Sequence, residues 1–223
     1  MLPSARTERR RPRFVLVTSM SEVVERAVDE MRAALTPATE QSWEVRAGDL
    51  EWTCRATAAH VADDLFSYAS QVIAQPHHGY LPIEAMIDPA ASNLESLRAV
   101  VMCGRLLRLA VDAAEPAARA WHPYGTSDPD GFAAMGVVEV LVHCHDIATG
   151  LGIEWRPPAQ LCVPVLQRLF PEAPPGEPSE VLLHVTGRRA LPGLEQLAHW
   201  SWDSSVRTDA GPRERRPGPG VGS

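Results

Sequence analysis

Residues 136–150 read GVVEVLVHCHDIATG, a stretch apolar enough for a protein core that still carries Glu139, His143 and Asp146. Glu139 precedes His143 by four positions and Asp146 by seven, so at helical spacing all three project from one face. Phe132, Met135 and Val142 share that face, which is the one expected to point inward. Burying ionisable groups there costs on the order of several kcal/mol unless they are paired or bind a metal. A Glu and a His at i, i+4 on an inward face suit a divalent metal. The rest of the chain reads as a cage around this helix.

Asp128-Pro129 gives the helix an N-cap and first residue, and Gly150 and Gly152 close it. Working outward, three more helices are expected before it. Ser19 and Glu22 have capping-box spacing, and Val24, Ala27, Val28, Met31, Ala34 and Leu35 keep a helical period over about 20–36, up to Pro37. Thr53 caps a second helix running to Gln75, with Val61, Leu65, Tyr68 and Val72 as its apolar stripe. His60, Asp64 and Ser67 form a polar row beside that stripe. Asp88-Pro89 opens a third helix ending near Ala114, with Leu94, Leu97, Val101 and Leu107 inward and Arg98, Arg105 and Arg108 on its wet side. Residues 115–127 form a loop covering one end. The fold class is therefore mainly α, a four-helix bundle over 20–152.

Residues 153–205 form an extension: a short amphipathic helix over 157–169, a proline-rich connector over 171–178, a strand at 181–186 (VLLHVT) and a turn at Gly187-Arg188-Arg189. Trp200 and Trp202 alternate as in a second strand or a docked aromatic segment, which makes the extension a small α+β unit. The basic leader 1–19 reads as a disordered segment or a mis-assigned start, and the Arg/Pro/Gly tail 206–223 as disordered.

Composition narrows the chemistry. A hydrophobic content of 45% and mixed charge fit a soluble globular protein, and a net charge of −7 gives no support to nucleic-acid binding. All 21 basic residues are Arg, which excludes a P-loop lysine, a Schiff base or a lysine general base. Cys54, Cys103, Cys144 and Cys162 are scattered without a CxxC and read as reduced thiols of a cytoplasmic protein. No apolar run approaches a membrane span.

The candidate metal ligands are His60, Glu139 and His143, a set that leaves a coordination position open as catalytic zinc sites do. Asp64 and Asp146 lie one turn beyond the two histidines, where they can accept from the imidazole N–H groups facing away from the metal. Pattern alone leaves His60 open between ligand and hydrogen-bonded core histidine, because ExxxH is a weak motif. His145 lies about 200° round the helix from His143 and points elsewhere. Core packing suits Cys144, and a structural or solvent-facing place suits His184 and His199.

The segments LEWTCRATAAHVADDL, VEVLVHCHDIATGLGI and VLLHVTGRRALPGLEQLAHWSW resemble the mycothiol-dependent maleylpyruvate isomerase family, a branch of the DinB-like metal-binding bundles. The resemblance covers about 20–205. It rests on the Trp-Thr start, on Ala59-His60-Val61, on the ExxxH-x-x-D run through Glu139, His143 and Asp146, and on Leu182-Leu183, Gly187-Arg188 and the Trp200/Trp202 pair. His145 replaces an aromatic residue of that family. The resemblance implies a DinB-like bundle with a divalent metal, commonly zinc, on His60, Glu139 and His143, and mycothiol as cofactor.

The implied partners are a small-molecule thiol and an electrophilic substrate, with no nucleic acid, no membrane and a homodimer left open; the source implied is actinobacterial. A thiol of pKa about 8.5 is only a few per cent thiolate at neutral pH, and a dication removes its proton. Isomerase and S-transferase chemistry both follow from such a thiolate. Arg188 is either a clamp for a substrate carboxylate or a surface turn arginine. A metal-dependent hydrolase and a non-enzymatic metal-binding stress or interaction protein are the alternative readings.

Overall fold

A computed structural model of the chain describes residues 19–206. The leader and tail, read as disordered, lie outside these residues except at their inner ends. The described part is mainly helical: α1 Met20–Leu35, α2 Cys54–Ala74, α3 Asn93–Ala113, α4 Pro129–Gly150, α5 Ala159–Leu169 and α6 Pro178–Val185. A 3-10 turn, Thr36–Ala38, follows α1.

Helix α1 starts on a reciprocal box, in which the Glu22 amide donates to Ser19 Oγ and the Ser19 amide to the Glu22 carboxylate. Its stripe of Val24, Ala27, Val28, Met31 and Leu35 is fully buried. Helix α1 packs on α3 and α4, and α2 packs on the same pair, so α1 and α2 take opposite corners. Helix α4 touches α1, α2, α3 and α5. Its 18-residue apolar window, mean hydropathy 1.3, has the length and composition of a membrane span, against the sequence expectation that no run comes near one. That window is 94% buried inside the bundle, which accounts for its apolarity on all sides.

The start of α3 and the element at 181–186 differ from the sequence reading. Helix α3 begins at Asn93, because Ser92 and Glu95 form a second capping box, while Asp88 spends its carboxylate on the Ala90 amide in a tight turn. Leu94, expected inward, is 38% exposed.

The segment 181–186 is helix and not strand. Pro178 takes the first helical position, the Glu177 side chain accepts from the Glu180 amide, and Val181, Leu182 and Val185 turn inward onto the α5 side. The described residues contain isolated β-bridges but no strand, so the extension is helical and Trp200 and Trp202 lie in coil. Gly187, at φ +74°, ends α6, and the Arg188 amide then donates back to the Leu183 carbonyl. This turn aims Arg188 at α4.

Candidate metal centre

Helices α2 and α4 face each other across the site. His60, Asp64 and Tyr68 succeed one another at i, i+4 and i+8 on α2. Glu139, His143 and Asp146 do the same on α4 at helical spacing. One donor atom each from His60, Glu139 and His143 fall within 4.8 Å of one another. Glu139 Oε2 lies 3.2 Å from His143 Nε2 and 3.7 Å from His60 Nε2.

A tetrahedral ion with bonds of ~2.1 Å holds its donors roughly 3.4 Å apart, so two imidazole nitrogens and a carboxylate at these separations fit a zinc-like ion. Glu139 and His143 are buried, and His60 lies at the edge of the group with its side chain 32% exposed. Trp52 caps that edge, its ring 4.8 Å from the ring of His60 and 6.5 Å from that of His143.

The two neighbouring aspartates act differently. Asp146 Oδ2 is 2.9 Å from His143 Nδ1, the contact expected of it, and fixes the tautomer that turns Nε2 toward the site. Asp64 Oδ2 lies 3.2 Å from His60 Nε2, the same nitrogen that faces Glu139, and not against Nδ1. Asp64 therefore stands on the ligand side of the ring.

Arg188 is neither at the surface nor free to hold a substrate in this arrangement. Its side chain is 12% exposed, and it donates from Nη2 and Nε to Asp146 at 2.8 and 3.3 Å. Nη1 donates to the Thr186 carbonyl, and the guanidinium lies 5.5 Å from the centre of the Trp200 ring. The carboxylate it clamps is Asp146. His145 is not in the group of three, and its Nδ1 is buried with no hydrogen-bond partner among the described residues. His184 is structural, its Nδ1 3.0 Å from the Arg189 carbonyl.

The electrostatics follow from the packing. Burial opposes charge on Glu139, but the two histidines outweigh it and hold the carboxyl well below the usual range. Burial also pushes His143 down, and the hydrogen bonds to Asp146 and Glu139 reverse this, raising it to about 9. His60 is raised in the same way by Glu139 and Asp64 against its own burial. Burial, with the charge of Glu139, lifts Asp64 to about 7. Without an ion the group is thus a charge-compensated cluster, with protons on the imidazoles where an ion would sit.

Below this cluster, about 12 Å along α2 from His60, lies an aromatic group that the sequence reading did not assemble. His122 is 4% exposed, and its ring has the rings of Tyr68, Tyr80, Tyr124, Phe132 and Trp202 within 6.3 Å. The phenols of Tyr68, Tyr80 and Tyr124 are close enough to feel the charge of Glu139. His122, Tyr80, Tyr124 and Trp202 come from loops and coil at no fixed spacing and meet Tyr68 of α2 and Phe132 of α4, so nothing in the one-dimensional pattern announces the group.

Fold and site together define a mainly helical protein with a two-histidine, one-carboxylate group between two core helices. The chain matches no family model, no curated protein and no solved structure.

Proposed function

We propose that the chain is a divalent-metal protein on a DinB-like bundle, acting as an isomerase or S-transferase that adds a thiol to a small electrophile. The observation that carries this is the convergence of His60, Glu139 and His143 within 4.8 Å on facing core helices. Zinc is the ion this donor set favours, and mycothiol the thiol that the sequence resemblance implies; a dication supplies the charge that stabilises a thiolate at neutral pH.

The thiol has to come from outside the chain. All four cysteines are buried and free, and burial raises Cys54 and Cys103 to about 11 and Cys162 to about 12. Free thiols also suit a reducing cytoplasm.

The chain's own residues then divide the work. Asp146 holds His143 in one tautomer, and Arg188 holds Asp146. Asp64, with Oδ2 on the ligand side of His60, is the carboxylate placed to take the proton a thiol gives up. Trp52 covers the solvent edge.

Elemental analysis of protein purified without chelator tests the reading, with His143→Ala beside the wild type. About one equivalent of metal in the wild type, lost in the variant, together with thiol-dependent turnover lost in the same variant, is the expected result. No metal in either protein after reconstitution with zinc, manganese, nickel or iron overturns it. Metal with turnover that needs no thiol replaces it with hydrolysis.

A further inference from the structure

The outer face of α3 carries more than its arginines. Met102, Leu106 and Leu109 are 50%, 39% and 57% exposed within about two turns of one another. Single exposed apolar side chains are ordinary on a protein surface, whereas a contiguous set with a charged rim marks a place where something docks. This set is contiguous. With Val101 at their base, the three line one groove of about 590 Å³, together with Arg98 and Arg105 of α3 and Arg32 of α1.

The rim holds positive charge that the chain does not neutralise. Arg108, the next arginine along α3, lies 3.4 Å from Glu25 and 3.4 Å from Asp112. Arg98 and Arg105 form no ion pair among the described residues. Glu95, one turn before Arg98, has its carboxylate engaged by the Ser92 amide and hydroxyl. Arg32 meets Asp29 at 3.4 Å, with both side chains well exposed. An apolar floor under a cationic rim, on a chain of net charge −7, asks for a partner with an apolar ridge and acidic flanks.

Shape and charge choose among such partners. From Arg98 to Leu109 the groove follows α3 for roughly 16 Å, about three turns. That is the footprint of one amphipathic helix anchored at i, i+3, i+4 and i+7, and a methionine in the floor adapts to the side chains it meets. A second copy would set three arginines against three. Residues 1–18 and 207–223 both hold more arginine than acid and carry the wrong sign. A flat bilayer leaves a groove unfilled, and anionic headgroups repel a chain of this net charge.

We propose that the α1–α3 groove docks an acidic amphipathic helix of a partner protein, with leucine-like anchors on Met102, Leu106 and Leu109 and carboxylates on Arg32, Arg98 and Arg105. None of the lining residues belongs to α2 or α4, so this contact stands apart from the metal reading. A footprint this small makes the contact transient and sensitive to salt.

The test titrates the full chain with three fluorescein-labelled peptides of about 18 residues, long enough to form a helix. The first has leucines at i, i+3, i+4 and i+7 with glutamates beside them, the second has lysine for each glutamate, and the third scatters the leucines of the first over all faces. Anisotropy reads affinity, and the Met102 methyl resonance, assigned with Met102→Leu, reads location. The expected result is that the first peptide binds about tenfold or more tighter than either of the others and moves the Met102 resonance. Arg98→Gln with Arg105→Gln weakens it about fivefold or more, as does Leu109→Ser. Arg156→Gln, at an exposed arginine outside the groove, leaves it unchanged.

No binding of the first peptide, equal binding of the lysine or scattered peptide, or an unmoved Met102 resonance overturns the proposal. So does affinity unchanged in the double arginine variant. A dimer in sedimentation that Leu109→Ser dissolves gives the face to a second copy instead. Co-sedimentation with phosphatidylglycerol vesicles that the double variant loses gives it to a lipid surface. All the substituted side chains are exposed, and should a variant still fail to fold, the peptide ranking and the wild-type Met102 shift decide.

Discussion

His143 carries opposite demands from its two ring nitrogens. Asp146 needs a proton on Nδ1, and a metal needs none on Nε2. Because its neighbours raise the imidazole to about 9, a metal displaces a proton at every pH below that. Zinc affinity, measured against a competing chelator, is expected to rise at least about tenfold per pH unit up to roughly pH 9, and more steeply at the low-pH end, where His60 also gives up a proton. A flat profile would count against His143 as a ligand. Asp146→Asn, which removes charge and keeps shape, is expected to weaken zinc about 10–100-fold.

His122 shows the opposite sign. Its folded value of about 4 lies below its ordinary 6.5, so the unfolded chain takes up the proton first. Stability therefore falls as pH drops from 6.5 toward 4, by up to about 1.4 kcal/mol per unit, and is unaffected above 6.5. The difference between wild type and His122→Phe in urea unfolding at several pH values isolates this contribution. That Glu139 and His143 share an inward face was legible in the sequence because helical spacing fixes it. His60, on another helix, was left open by the pattern and entered with the family resemblance. The side of His60 that Asp64 occupies was not legible, since that depends on a rotamer, and the ring of aromatics about His122 was not, since loops assemble it.

At the scale of elements, close approach governs what the helices tolerate. A Cβ on Gly104 of α3 would lie 2.4 Å from Val28 Cγ1 on α1, so Gly104→Ala overpacks that seam. It is expected to cost about 1–3 kcal/mol, and Val28→Ala in the same chain to restore part of it, both read from unfolding midpoints. Periodicity and Pro/Gly punctuation located all four long helices. Asp88-Pro89 misled because an Asp before Pro caps a turn as readily as a helix, and the decision fell to Ser92 and Glu95. VLLHVT misled because a short apolar run has no period of its own, and the stop-start chemistry of Glu177, Pro178 and Gly187 set its shape.

Across the whole molecule, one apolar cluster runs from α1 through α5 and α6 to Trp202, so the bundle and the extension share a core. The extension also reaches the site through Arg188, a link spanning 42 residues that no local pattern displays. Binding to the folded state alone stabilises it by mass action. Zinc is accordingly expected to raise the melting temperature of the wild type and leave that of His143→Ala unchanged, while Arg188→Met shifts the zinc concentration needed upward. Equal zinc effects in wild type and His143→Ala would place the ion elsewhere.

The Trp200 ring over Arg188 completes a conduit from His143 through Asp146 to an indole. An indole's emission responds to the position of a cation beside it. With Trp52 on the near edge of the site and Trp200 behind Asp146 and Arg188, two indoles flank it. The part of any zinc-dependent emission change that Trp200→Phe removes is the part carried through this conduit.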